Sequence, residues 1–137
     1  MEQDEKLIPL KPYLVRAMIQ WCEDNGLRPY LAVQVDEEAD VPREYVSDGH
    51  IVLSVSSEAI DRPDFGNDCF EFFARFGEQA RHLAVPVRAI VAAYPAERPE
   101  LGLAFSYEPP AEKVGDSEEK GTQKGQNARK SFIQKVK

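Results

Sequence analysis

The period of the apolar residues changes once along this chain, at Pro29, and that change restricts the fold more than any other feature. Before it, PYLVRAMIQWCEDNG reads as a helix: Pro12 suits a first helical position and Asn25-Gly26 supplies a stop. After it, apolar residues recur at every second position in short runs separated by turn formers, which is the period of strands. Tyr30 to Asp36 (YLAVQVD) sets Leu31, Val33 and Val35 on one face. Ser47-Asp48-Gly49-His50 contains the Asp-Gly pair that favours a tight turn, and Ile51 to Ser56 (IVLSVS) alternates behind it. The stretch SSEAIDRPDFGND is rich in turn residues and reads as a loop. Cys69 to Phe76 (CFEFFARF) is a strong strand with Phe70, Phe72, Ala74 and Phe76 on one face. A short strand from His82 to Val85, one helical turn over Pro86–Ile90, the run VAAY and a closing strand over Leu103–Tyr107 complete the pattern. The expected fold is mainly β with an N-terminal α-helix: five to seven short antiparallel strands in a small twisted sheet or open barrel.

The helix is apolar over much of its circumference. Leu14, Met18, Trp21 and Cys22 make one stripe, and Tyr13, Ala17 and Trp21 make an adjoining one. Two readings follow from a stripe that wide: a single broad core face, or burial on two sides with Tyr13, Ala17 and Trp21 at a dimer interface.

From Ala111 the composition shifts to Lys, Glu, Gly, Gln, Ser and Thr, which cannot bury enough apolar surface to repay ordering. Residues 1–110 are therefore expected to fold as one domain, 111–129 to be a flexible, disordered linker with an r.m.s. reach of roughly 25 Å, and 130–137 (KSFIQKVK) to be a separate basic, apolar tip. The charge follows the same division. Residues 111–129 are balanced and 130–137 hold three Lys and no acid, so the total of −7 leaves −10 on the first 110 residues. An acidic body repels phosphate backbones, so no nucleic-acid partner is expected. No apolar run approaches the roughly 18 residues of a membrane span, and MEQDEKLIPL lacks the apolar core of a secretory signal. No membrane partner is expected, and a cytoplasmic location is. Cys22 and Cys69 both sit in apolar patterns, as reduced core residues would.

Reactive groups do not converge in this sequence. Ser47, Asp48 and His50 share one tight turn, which cannot place a nucleophile, a base and an orienting acid in productive geometry. Metal-ligand spacings, phosphate loops and dinucleotide fingerprints are all absent, so neither enzymatic activity, a metal nor a cofactor is expected. Binding remains. In FEFFARFG, Ala74 lies between Phe72 and Phe76 on one face, and a small residue there leaves either a depression for an extended peptide or a notch for a bulky core neighbour. Arg75 is available to pair with an acidic group.

The segments KPYLVRAMIQWCEDNGLRPYLAVQVD, VPREYVSDGHIVLSVS, NDCFEFFARFG and AVPVRAIVAAY resemble, in order and spacing, the stringent starvation protein B (SspB) family over about residues 10–107. That family comprises adaptors that deliver substrates to the ClpXP protease. The resemblance implies a homodimer with the N-terminal helix at its contact and a small open Sm-like, SH3-like β barrel. It implies a groove that binds the ssrA tag of tagged proteins, and a tail whose end docks on the ClpX N-terminal domain. By position in the matching motifs, the groove would involve Tyr45, Val46, Ser47, Leu53, Ser54, Phe73, Ala74, Arg75 and Phe76. Ile133, Val136 and Lys137 would be the ClpX-docking residues. The alternative is an Sm-like RNA-binding or transcription-associated protein, whose basic face with exposed aromatics would contrast with a body at −10.

Overall fold

Residues 7–110 are described by the structure, a computed structural model. The expectations for 111–129 and for Ile133, Val136 and Lys137 lie outside the described residues.

The helix α1 (Lys11–Asp24) carries Pro12 in its first turn, where a missing N–H costs no hydrogen bond. It stops at Gly26, whose φ of +71° is open to glycine, and the Leu27 amide closes the end on the Cys22 carbonyl at 2.8 Å. Its buried residues are Pro12, Val15, Met18, Ile19 and Cys22. Of the stripe expected to face the core, Met18 and Cys22 do so. Leu14 and Trp21 instead point outward with Tyr13 and Ala17.

Seven strands follow among the described residues: β1 (Pro29–Gln34), β2 (His50–Ser54), β3 (Ile60–Phe65), β4 (Cys69–Phe76), β5 (Gln79–Pro86), β6 (Ile90–Pro95) and β7 (Leu103–Ala104). They form two antiparallel sheets, β2-β1-β6-β7 and β3-β4-β5, which are not closed into a barrel. A short bridge between Asp40 and Ala84 ties the chain after β1 to the edge of β5. The Asp-Gly turn forms as its residues demand: Asp48 and Gly49 both take positive φ (55° and 78°), and Ser47 and His50 exchange hydrogen bonds of 2.8 and 3.0 Å. The segment read as a loop contains β3, with Ile60 opposite Ala74 and Phe65 opposite Phe70.

One core lies between the sheets and α1. Leu31 and Val33 of β1, Ile51 and Leu53 of β2, Phe70 and Phe72 of β4, and Leu83 and Val85 of β5 are all at most 3% exposed. The period-two alternation explains this selection, because these are the inward positions of half-buried strands.

The end of the described chain is lashed to this core by polar contacts. Lys11 Nζ donates to the carbonyls of Val87, Arg88, Ile90 and Ser106 at 2.9–3.2 Å, and burial lowers its pKa against the opposing pull of Glu108. Arg88 donates to Asp36 (2.7 Å) and Glu38 (2.6 Å), and the Tyr107 hydroxyl donates to Asp36 at 2.7 Å. Chain exit at Pro110 is thereby anchored beside the start of α1.

Candidate peptide-binding site

The strand β4 carries most of the residues singled out in the sequence, and its alternation divides them between two faces. Ala74 and Phe76 continue the inward row of Phe70 and Phe72 and are half-buried at its end. Phe73 and Arg75 lie on the outer face.

A 3₁₀ turn over Arg43–Tyr45 brings Tyr45 onto Phe76, with ring centroids 4.9 Å apart and planes tilted by 37°. That turn is pinned by Arg81 of β5, which donates to Glu44 at 2.7 Å, and by Arg43, which donates to the Ala39 carbonyl at 2.8 Å. The Glu44 carboxyl is held below the usual range by its own backbone amide first and by Arg81 next. Arg81 is also the β5 partner of Ala74, whose other neighbour is Ile60 of β3. A small side chain in the middle of three strands thus sits among larger ones.

A depression of about 440 Å³ opens where β3 meets β4, with Ile60, Arg62, Phe73, Ala74 and Arg75 among its walls. Its size suits a few residues of an extended chain. Phe73 is flanked by His82, edge-on at 5.1 Å, and by the Arg62 guanidinium at 4.5 Å. Arg75 donates to the Glu78 carbonyl in the β4–β5 turn at 3.1 Å.

The structure thus brings Phe73, Ala74 and Arg75 to one depression and packs the Tyr45 ring, tilted, against Phe76. Val46 is half-buried and Ser47 exposed at the start of the Asp-Gly turn. Ser54 is half-buried opposite Tyr30, and Leu53 lies in the core at 3% exposure, opposite Leu31. Ile60, Asp61 and Arg62 also line the depression, and periodicity does not single them out because their segment reads as a turn.

A second cavity, about 420 Å³, lies at the root of α1 among Lys11, Pro12, Cys69, Val87 and Arg88. Its two cations are already engaged by carbonyls and carboxylates of the fold. Burial raises the Cys69 thiol pKa, so it is not an activated nucleophile. No helix among the described residues is long and apolar enough to cross a membrane.

A helix-plus-sheet domain of two antiparallel sheets, with a depression beside an edge strand, defines a small, mainly β fold. Its family follows from comparison with known proteins. The model of the stringent starvation protein B family matches residues 9–135, and the chain belongs to that family. It is 40% identical over 104 residues to the stringent starvation protein B homolog of Haemophilus influenzae, a match covering 75% of this chain and 69% of that protein.

Proposed function

We propose that this protein is a non-enzymatic adaptor that holds ssrA-tagged substrates in the depression on β4 and tethers them to the ClpX unfoldase, enhancing degradation by ClpXP. The observation that carries this reading is the depression beside the edge strand β3, walled by Phe73 and Arg75 of β4 and Ile60 of β3 and reaching the strand at Ala74. Main-chain groups of the edge strand β3 offer affinity to an extended peptide, and the side chains around Ala74 offer selection.

The outward face of α1 supports a homodimer. Leu10, Tyr13, Leu14 and Trp21 are 37–65% exposed there, in an array too apolar for ordinary surface. The tail reading rests on sequence: the family match continues to residue 135, and Ile133, Val136 and Lys137 supply two apolar anchors and a cation. Two such tails on a dimer raise the effective concentration of a weak contact. Cargo held by the body leaves the rest of its chain free for the unfoldase.

Ala74→Gln tests the groove. A long polar side chain at this position is expected to lower tag affinity at least tenfold while near-ultraviolet circular dichroism and dimer mass stay unchanged. Unaltered tag binding in a folded variant would remove Ala74 from the site.

A further inference from the structure

Arg62 occupies a backbone position where glycine would be cheapest. The β3–β4 ladder pairs Asp61 with Phe73 and resumes with Asp64 opposite Glu71, so Arg62 and Pro63 together face only Phe72. A two-against-one bulge of this kind re-aims a side chain, and when its first residue is left-handed that residue is ordinarily glycine. Here it is arginine at φ +52°. The following Pro63 further steers Arg62 toward extended backbone, so the conformation is disfavoured twice. Such strain costs on the order of 1 kcal/mol and persists where the surroundings over-determine it.

The bulge lays the guanidinium across the Phe73 ring, 4.5 Å from its centroid. Nε faces Asp61 at 3.6 Å, and among the described residues the two terminal nitrogens have no hydrogen-bond partner. The side chain is 72% exposed. A planar cation lying over an aromatic face, with the fork of its N–H groups turned to solvent, is matched to a carboxylate. The local charge agrees. On a body at −10, the rim of this depression carries Arg62 and Arg75 against Glu58 and Asp61, a neutral window in an acidic surface. Arg75 already donates to Glu78, which leaves Arg62 the freer donor.

We propose that Arg62 is a specificity-determining residue that pairs with an acidic side chain of the peptide occupying the depression beside Phe73 and Ala74. This rests on the peptide-binding reading above. The Asp61 contact is an exposed ion pair of little worth, so an incoming carboxylate exchanges with it at small cost.

The test is a double-mutant cycle read by fluorescence anisotropy on the full chain. The probes are a labelled, C-terminally amidated ssrA-tag peptide and a copy carrying amides in place of its side-chain carboxylates. Amidation of both removes the terminal carboxylate as the source of any effect. Arg62→Gln and the amide-bearing peptide are each expected to weaken binding about three- to fivefold, with little further loss when combined. Arg62→Gly should lose the same affinity with Tm little changed, because relief of the left-handed strain offsets the backbone freedom that glycine adds to the unfolded chain; the loss then has no origin in unfolding. Wild-type binding of the tag with unchanged affinity in Arg62→Gln, or with losses that simply add, overturns the role of Arg62 and leaves the adaptor reading standing. No binding of the tag by the wild-type protein overturns the adaptor reading and this inference with it.

Discussion

Asp36 joins three parts of the molecule through one carboxylate. It follows β1, accepts from Arg88 in the turn before β6, and accepts from Tyr107 near the end of the described chain. Arg88 does most to hold its pKa at about 2, with Tyr107 and the Glu38 amide adding to this against the cost of burial. An unfolded aspartate titrates near 3.9. The folded pKa is therefore depressed, so the stabilisation is complete above about pH 4 and is lost as pH falls toward about 2. Urea midpoints measured between pH 5 and pH 2 should fall for the wild type, and fall less for Asp36→Asn, which begins less stable by on the order of 1–2 kcal/mol. Equal pH slopes for the two proteins would contradict this role. Gly102 illustrates close approach. A Cβ there would meet the Ala93 carbonyl oxygen at 2.8 Å and crowd Tyr94, both in β6. Gly102→Ala should cost about 1–3 kcal/mol in chemical denaturation by displacing β7 from its partner; an unchanged midpoint would show that the loop yields.

At the scale of elements, what the sequence disclosed depended on how sharply each pattern defined a face. The strands with clean alternation, β1, β2 and β4, were legible because a one-residue shift would turn their whole apolar set outward. The helix was legible in extent but not in orientation. With Tyr13, Leu14, Val15, Ala17, Met18, Ile19, Trp21 and Cys22 spread around it, periodicity alone does not select an inward stripe, and packing against β1 and β6 turns Val15 and Ile19 inward. The strand β3 was hidden by Pro63, Asp61 and Asp64, which signal turns. The bulge at Arg62-Pro63 lets the ladder pass them, and a register break is a tertiary property that local propensity does not encode. The same break hid Arg62 from the candidate site, whereas Phe73, Ala74 and Arg75 were visible in the regular strand beside it. The outward helix face makes its own prediction. Tyr13→Glu with Trp21→Glu should convert a dimer into a folded monomer in analytical ultracentrifugation, with melting unchanged at the helix core. A wild-type protein that sediments as a monomer at micromolar concentration would remove α1 as a dimer contact.

Across the whole molecule, charge is divided unevenly along the sequence. The first 110 residues carry −10 and the last eight carry +3, so the two parts of the sequence differ in the sign of their charge. The described core is complete within residues 7–110, and the lashing of Lys11 and Arg88 fixes where the chain leaves it. Tag capture should therefore belong to the body alone, with the tail acting as a separate docking device. The most direct measurement is a fluorescence-anisotropy titration of a labelled ssrA-tag peptide with the intact protein and with a version ending at Pro110. The adaptor account predicts saturable binding with the same affinity for both. Absence of binding by the intact protein, or its loss on removing the tail, would contradict the account.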